Sequence, residues 1–317
     1  MGFAVSACSN DSNGGIKAKD EINVFTGTPG KNGEVLAVKF DDTSNARPQQ
    51  GVEFADVVYV TQVEAGLTRL MAIYSSNYPE TIGPIRSARI SDIDILANYG
   101  RVGFAYSGSQ SKMRPILKAA NLEIMSAERN SKKIFPTDPN RTPPYAMMLH
   151  PNLLLEKYGE LQSARSVGWK HGKGSESAAL IDSVDVRWPN AHYQIRWDGK
   201  MKRFILWHNG KPNLAASGIQ LGGATMVIQL VEIHPSEFGD RFGGITPKST
   251  VIGNGQGYLL RDGGIVPVRW SRTDATSPTE WRLADGSEAY FAPGQVWFFL
   301  TDREPEIATK PVTNPSK

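Results

Sequence analysis

The chain has 317 residues, with 35 Lys and Arg against 32 Asp and Glu and a formal net charge of +3. This near balance, without a basic run of five to eight residues, excludes a dedicated nucleic-acid-binding protein. No apolar stretch approaches the ~18 residues that a membrane-spanning helix needs, and the length favours two domains over one compact core.

A single cysteine, Cys8, lies in the stretch "FAVSAC". One cysteine allows no disulfide within the chain and no cysteine-based metal site. The small residues at positions 6 and 7 and the branched residue at 5 resemble a bacterial lipobox, in which the signal peptide is cut before a cysteine that is then acylated. Residues 9–22 are polar and typical of a flexible tether. The alternative is a free cysteine that is buried or disordered.

Only seven residues precede Cys8, and none is basic, whereas a signal peptide has about 15–30 residues. Either a longer leader precedes this sequence or the lipobox match is accidental, and the tether favours the first. We therefore expect Cys8 to be lipidated, with residues 1–22 forming the lipobox and tether of a protein on the outer, extracytoplasmic face of a bacterial membrane.

Residues 23–162 alternate between strand and helix patterns. Strand patterns occupy 35–42, 55–63, 70–76 and 102–108, and helical patterns occupy 91–98, 111–122 and 151–161. The short connection "EAGLTR" predicts a hairpin between the second and third strands. Residues 126–149 form a long loop that is rich in Pro and Lys. The alternation predicts an N-terminal layered α/β domain with a mixed sheet.

The second half has a different pattern, beginning after a polar, glycine-bearing linker at 163–178. From 179 to 303, apolar strand patterns are separated by Asp-Gly and Asn-Gly turn signals, and all seven tryptophans lie at or beyond residue 169. We predict an all-β domain, an antiparallel sandwich or barrel, followed by a disordered tail at 304–317. The fold class is therefore α+β.

Polar side chains that suit an anion cluster near the ends of the predicted strands. They are Arg47 after the first strand, Glu64, Thr68 and Arg69 at the hairpin connection, Arg86, Ser87 and Arg89 in "GPIRSAR", and Ser107 and Gln110 after the next strand. In layered α/β domains, ligands bind at strand ends, near helix N-termini whose free N–H groups favour anions. Because arginine matches carboxylate or phosphate with two parallel hydrogen bonds, the cluster predicts an anion-binding site.

The competing interpretation is that the arginines form ion pairs inside the fold. Asp56, Glu64, and Asp92 or Asp94 would then hold loops in place rather than leave charge for a ligand. Ser87 fits a local helix cap better than a nucleophile, and Ser91 and Asp94 have the spacing of a capping box.

Residues 77–85 connect the hairpin to the "GPIRSAR" stretch. At ~3.3 Å per extended residue, this segment is long enough to run back along a neighbouring seven-residue strand. We therefore expect Arg86 to come within hydrogen-bonding reach of Glu64, or of a ligand shared with Arg69.

No motif specifies a cofactor or a metal. The five histidines are scattered without metal-ligand spacing, and neither a nucleophile elbow nor a phosphate-binding loop is present. We expect no cofactor, and magnesium only if the protein is an enzyme.

Long segments of both halves resemble one known family. The stretches "ARPQQGVEFADVVYVTQVEAGLTRLMAIYSS" and "IGPIRSARISDID" resemble the N-terminal half of the YerB-like lipoproteins, and "VIGNGQGYLLRDGGIVPVRW" resembles their C-terminal domain. The similarity extends over residues 23–302 and implies a lipoprotein whose activity is unassigned. Where the family pattern leads us to expect Pro-His-Asn, this chain has "PPYAMMLHPN", so either Tyr145 and Ala146 or His150 and Asn152 stand in that place.

Three functions remain open from the sequence. The first is a membrane-anchored protein that binds an anionic cell-envelope ligand through Arg69, Arg86 and Arg89 without catalysis. The second is a structural or partner-binding protein without a small-ligand site. The third is a metal-dependent enzyme acting on a phosphorylated envelope polymer or lipid-linked precursor, with Glu64 or Asp56 as base or magnesium ligand. The sequence favours binding over catalysis.

Overall fold

The computed structural model describes residues 21–159, 161–240 and 243–310, so Cys8 and residues 9–20 of the predicted tether lie outside it. The described residues form three α-helices, α1 (Ile90–Leu96), α2 (Arg114–Ala119) and α3 (Pro151–Tyr158). None of these helices is long and apolar enough to cross a bilayer.

Strands dominate both halves of the described chain. The N-terminal half contains β1 (Leu36–Asp41), β2 (Val57–Gln62), β3 (Thr68–Tyr74), β4 (Val102–Tyr106) and β5 (Leu122–Ser126). The C-terminal half contains β6 (Ala179–Trp188), β7 (Ala191–Asp198), β8 (Arg203–His208), β9 (Lys211–Pro212), β10 (Gly222–Gly223), β11 (Thr225–Leu230), β12 (Ile233–Gly239), β13 (Ile245–Ser249), β14 (Gly253–Arg261), β15 (Gly264–Arg272), β16 (Glu280–Arg282), β17 (Val296–Thr301) and β18 (Glu306–Thr309). Few helices and a large mixed sheet confirm the predicted α+β class.

One sheet runs through both halves in the order β10-β8-β7-β6-β15-β14-β11-β17-β2-β3-β1-β4-β5. Three further strands join this sheet outside that order: β16 pairs with β15, β18 with β6 and β9 with β8. Strands β12 and β13 form a separate two-stranded sheet. The two halves meet at β17, which is parallel both to β11 and to β2. The division at residues 163–178 stays a prediction, but the sheet itself is continuous across the two halves.

The sequence of β17, "VWFFLT", explains its central place. All six residues are buried, as expected for a strand covered on both faces. Because side chains alternate along a strand, Val296 and Phe298 enter one apolar core, while Trp297 and Phe299 enter the other. The second core also contains residues of β6–β8, which therefore pack over the same face of the sheet.

The predicted hairpin is confirmed, because β2 and β3 are antiparallel and joined by a short 3-10 turn at Glu64–Gly66. The helix predicted at 111–122 is shorter than expected. Its last residue, Leu122, instead begins β5, which pairs in parallel with β4 at the edge of the sheet.

The prediction that residues 304–317 are disordered is wrong for Glu306–Thr309, because this segment pairs antiparallel with β6. Part of the predicted linker is also packed into the fold. Trp169 is 4% exposed, and its ring stacks on Phe291 at a centroid distance of 5.5 Å. Burial of a large aromatic ring keeps this part of the linker in place.

Candidate functional site

A cleft of about 730 Å³ lies between the two halves of the chain. Its N-terminal wall comes from residues 86–89, from the loop after β4 and from Pro144 and Tyr145 of the long loop. Its C-terminal wall comes from the β12–β13 hairpin, which contributes Phe238 and Thr246. Of the residues predicted to bind an anion, Arg69, Arg86, Ser87, Arg89 and Gln110 line this cleft.

Strand pairing brings Arg69 and Arg86 to one place. Arg69 is the second residue of β3 and lies opposite Asp41, the last residue of β1. The segment after β3 runs back beside β1, where Ile85 pairs with Phe40 and the amide of Asp41 donates to the carbonyl of Pro84. This run-back was predicted from the length of the segment, and it places Arg86 at the same end of the sheet as Arg69.

Arg86 is anchored at one edge of its guanidinium group. Its Nε atom donates to Oδ2 of Asp41 at 2.5 Å, and its guanidinium carbon lies 5.7 Å from the ring centre of Tyr145. Within the described residues, the terminal NH₂ groups of Arg86 make no hydrogen bond. Those donors have the fork geometry that matches a carboxylate or a phosphate.

Arg89, rather than Arg86, pairs with Glu64. The first of the two alternatives expected for Arg86, a contact with Glu64, is therefore wrong. The Nε atom of Arg89 lies 2.6 Å from Oε1 of Glu64, and Thr246 of the hairpin donates to the same oxygen. Burial opposes ionisation of Glu64, but hydrogen bonds and the positive charge of Arg89 outweigh it and hold its pKa below the ordinary value. Glu64 therefore links Arg89 in the N-terminal wall of the cleft to Thr246 in the β12–β13 hairpin.

Arg69 differs from the other predicted arginines, because it forms no ion pair with the described residues. It is only 8% exposed, and no carboxylate of the described chain lies within 4.0 Å of it. Its single side-chain hydrogen bond in that part of the chain runs from Nη1 to the carbonyl of Ser87 at 2.8 Å. Burial, with the nearby charges of Arg89 and Arg86, lowers the pKa of Arg69 to about 9. The cleft thus has an unneutralised cation in its wall.

Neutral polar groups line the cleft beside the arginines. The hydroxyl of Ser87 lies 3.4 Å from that of Ser107, behind the cleft wall. Oε1 of Gln110 is buried and accepts no hydrogen bond from the described residues. Ser87 is not a helix cap, because α1 begins at Ile90.

The N-terminus of α1 is closed by its own side chains. The backbone N–H of Arg89 donates to Asp92 at 2.7 Å, which replaces the predicted capping pair of Ser91 and Asp94. Asp92 is in turn paired with the fully buried Lys39 at 2.6 Å. The positive charge at this wall of the cleft therefore comes from guanidinium groups and not from a helix end.

Arg47 and Thr68 do not reach the cleft. Both contact Asp42, Arg47 through an ion pair and Thr68 through a hydrogen bond of 2.6 Å. Tyr193 and His208 from the C-terminal half complete this buried cluster, and burial lowers the pKa of His208 to about 4. Arg47 is better explained as part of the contact between the two halves.

The competing interpretation, in which the arginines form ion pairs inside the fold, is right for Arg47, Arg86 and Arg89. Only Arg89 pairs with a predicted carboxylate, Glu64, whereas Arg47 pairs with Asp42 and Arg86 with Asp41. Asp56 accepts hydrogen bonds from Ser75 and Ser76. Asp94 pairs with Lys248 at 2.9 Å.

No group of three or more His, Cys, Asp or Glu side chains in the described ranges is arranged to hold a metal ion. Asp56 precedes β2 and Glu64 follows it, so these two predicted magnesium ligands lie at opposite ends of a six-residue strand. At ~3.3 Å per residue, they are separated by roughly 20 Å.

Several residues that line or support the cleft were missed from the sequence, among them Asp41, Tyr145 and Thr246. Asp41 could have been found, because it ends an apolar strand next to the arginine-bearing hairpin. Tyr145 belongs to the loop in which the family pattern was expected to differ. His150 only precedes α3, without a side-chain capping hydrogen bond, and does not line the cleft. Thr246 gave no local signal, since its position depends on pairing between distant segments.

Two family models match this chain in the expected order. The first, described as "Protein of unknown function (DUF3048) N-terminal domain", matches residues 25–165, and the second, the C-terminal domain of the same family, matches residues 184–298. The chain belongs to the DUF3048 family. The cleft is thus built from both regions that match the DUF3048 models, because its N-terminal wall lies in the first match and its hairpin in the second.

Two comparisons place the DUF3048 chain beside proteins of Bacillus subtilis. It is 21% identical over 274 residues to "Putative lipoprotein YerB" of strain 168, covering 83% of this chain and 79% of that one. The crystal structure of YerB protein from Bacillus subtilis superposes with a TM-score of 0.76 at 19% identity, covering 91% of this chain and all of the other. At this identity, the structural match shows a shared fold.

The unpaired charge of Arg69 predicts an unusual effect on stability. Replacing Arg69 by Met should raise the free energy of unfolding by about 1 kcal/mol or more, because it removes a buried cation that has no carboxylate partner. The measurement is urea denaturation at pH 7, followed by tryptophan fluorescence.

The matched control is Lys39→Met. Lys39 is also a buried cation, but it is paired, so its replacement should destabilise the fold by about 3–5 kcal/mol through the charge left on Asp92. If both substitutions destabilise the fold to a similar extent, Arg69 is not the uncompensated charge described here.

Proposed function

We propose that this protein is a lipid-anchored protein of the extracytoplasmic membrane face that holds an anionic cell-envelope ligand in the cleft, without catalysing a reaction on it. The observation that carries this proposal is Arg69, a nearly buried guanidinium group at the cleft wall with no carboxylate partner in the described chain. A bound anion would neutralise it.

The donors of Arg69 and Arg86 support binding of an oxyanion. Arg69 uses one N–H group on a carbonyl, and Arg86 uses its Nε atom on Asp41, so the remaining donors of both side chains are unused by the described residues. Two guanidinium groups in one cleft wall suit an anion with several oxygen atoms, since each charge-assisted hydrogen bond is roughly twice as strong as a neutral one.

The anchor is supported by two separate observations. Cys8 follows small residues and precedes a polar tether, as in a lipobox. A relative that covers most of the chain has the name "Putative lipoprotein YerB". An anchored protein of this kind would meet its ligand at the membrane surface or in the surrounding envelope.

The two other functions have weaker support. A purely structural or partner-binding role explains Arg47, Arg86 and Arg89, which are paired, but leaves the unpaired charge of Arg69 without a purpose. A metal-dependent enzyme would need Glu64 or Asp56 as base or ligand, and Glu64 is occupied by Arg89 and Thr246.

The wild-type protein should show saturable, salt-sensitive binding to members of an anion panel made of inorganic phosphate, pyrophosphate, a sugar phosphate and a sugar acid. Arg86→Ala should weaken that binding at least tenfold, because charge-assisted hydrogen bonds contribute about 1.5–3 kcal/mol each. Isothermal titration calorimetry at low ionic strength measures both affinities.

Arg101→Ala is the control for net charge. Arg101 is an exposed arginine paired with Glu123 and does not line the cleft, so its loss should leave the affinity unchanged. A wild-type protein that binds no member of the panel would contradict the proposal, and so would equal losses in both variants.

The proposed lipid anchor leads to a second prediction, about where the protein fractionates. Expressed with its native leader in bacteria, the protein should fractionate with membranes, and Cys8→Ser should move it to the soluble fraction because the acylated thiol is lost. Immunoblotting of the separated fractions measures this. A Cys8→Ser protein that stays with the membranes would remove the lipid anchor from the proposal.

A further inference from the structure

The cleft is much larger than an isolated anion. At about 730 Å³, it lies within the range of small-molecule sites, whereas one water molecule takes about 30 Å³ of liquid and a phosphate only a few times that volume. The guanidinium groups of Arg69 and Arg86 occupy one part of the wall. The rest of the cleft therefore surrounds the uncharged part of the ligand.

That remaining wall combines polar groups with a larger apolar area. Ser87, Ser109 and Gln110 line it with hydroxyl and amide groups, and the buried Oε1 of Gln110 has no donor among the described residues. A ligand hydroxyl could supply that donor if the Gln110 amide turned this oxygen toward the cleft. Tyr145 adds a half-buried ring with an apolar face, and Phe238 adds a further apolar patch. Such a mixed wall suits a hydroxylated ring, which has polar groups at its edge and apolar faces.

Two carboxylates also line the cleft and restrict the charge of the ligand. Glu128 is exposed and forms an ion pair with Arg114 at 2.8 Å, and Asp240 lies on the hairpin side. A second negative group on the ligand would be repelled by Glu128, whose ion pair with Arg114 is exposed and therefore weak, whereas a hydroxyl could donate to it. The arrangement therefore favours one anionic group over two.

We infer that the ligand of this cleft is a sugar-sized molecule with several hydroxyls and a single anionic group, which faces Arg69 and Arg86 while the hydroxyls face Gln110 and Glu128. This inference rests on the proposed function, because it assigns a ligand class to the same site. It distinguishes an acidic sugar from a bare oxyanion, a pyrophosphate and a neutral sugar.

The test is calorimetric titration of the full chain with five probes: glucuronate, glucose 6-phosphate, inorganic phosphate, pyrophosphate and glucose. One of the first two should bind at least tenfold more tightly than the last three, and which of the two is tighter identifies the anionic group as carboxylate or phosphate. If inorganic phosphate or pyrophosphate binds as tightly as either acidic sugar, the inference is overturned while the proposed function stands. If no anion binds, the proposed function itself fails.

Glu128→Gln tests the part played by the carboxylate. It should raise the affinity for pyrophosphate at least threefold and lower the preference for the acidic sugar over pyrophosphate by the same factor or more. Glu306→Gln is the matched control, since Glu306 is also exposed and paired with an arginine, Arg187 at 3.0 Å, but lies outside the cleft. Unchanged affinities in Glu128→Gln, or equal changes in both variants, would overturn the role of Glu128.

Discussion

The parallel pairing of β17 with β2 is the interaction on which the rest of the structure depends. It inserts a fully buried strand from the end of the chain between β11 and the N-terminal hairpin, so that one sheet continues through both halves. The β12–β13 hairpin is then held against α1, where the backbone N–H of Ser249 donates to the hydroxyl of Ser91 at 2.9 Å. The cleft exists only because both halves are fixed in this way.

Near the cleft, two buried cations show the contrast between a paired and an unpaired charge. Lys39 is paired with Asp92 and has a structural role beneath α1. Arg69 is nearly as well buried, yet it is surrounded by other guanidinium groups and has no carboxylate within 4.0 Å in the described chain. Unpaired buried charge costs folding free energy, and proteins accept such costs mainly at functional sites. The contrast between these two cations is the physical basis of the proposed function.

Local sequence patterns were sufficient for some features and not for others. The hairpin of β2 and β3, helix α1 and the return of the chain before Arg86 follow from short-range periodicity and segment length. Three of the arginines that the sequence singled out, Arg69, Arg86 and Arg89, do line one cleft. Sequence alone could not show that Arg47 belongs to a different cluster, that Arg89 takes Glu64, or that β17 joins the N-terminal sheet, since each depends on contacts between distant segments.

The most direct test of the central claim is a crystal of the protein soaked in selenate, a tetrahedral oxyanion that scatters anomalously. An anomalous peak within hydrogen-bonding distance of Arg69 and Arg86 is the result that the unpaired guanidinium predicts. Selenate bound at other arginines with none in the cleft would contradict it, because a nearly buried cation without an ion-pair partner in the described chain would then have no preference for an anion.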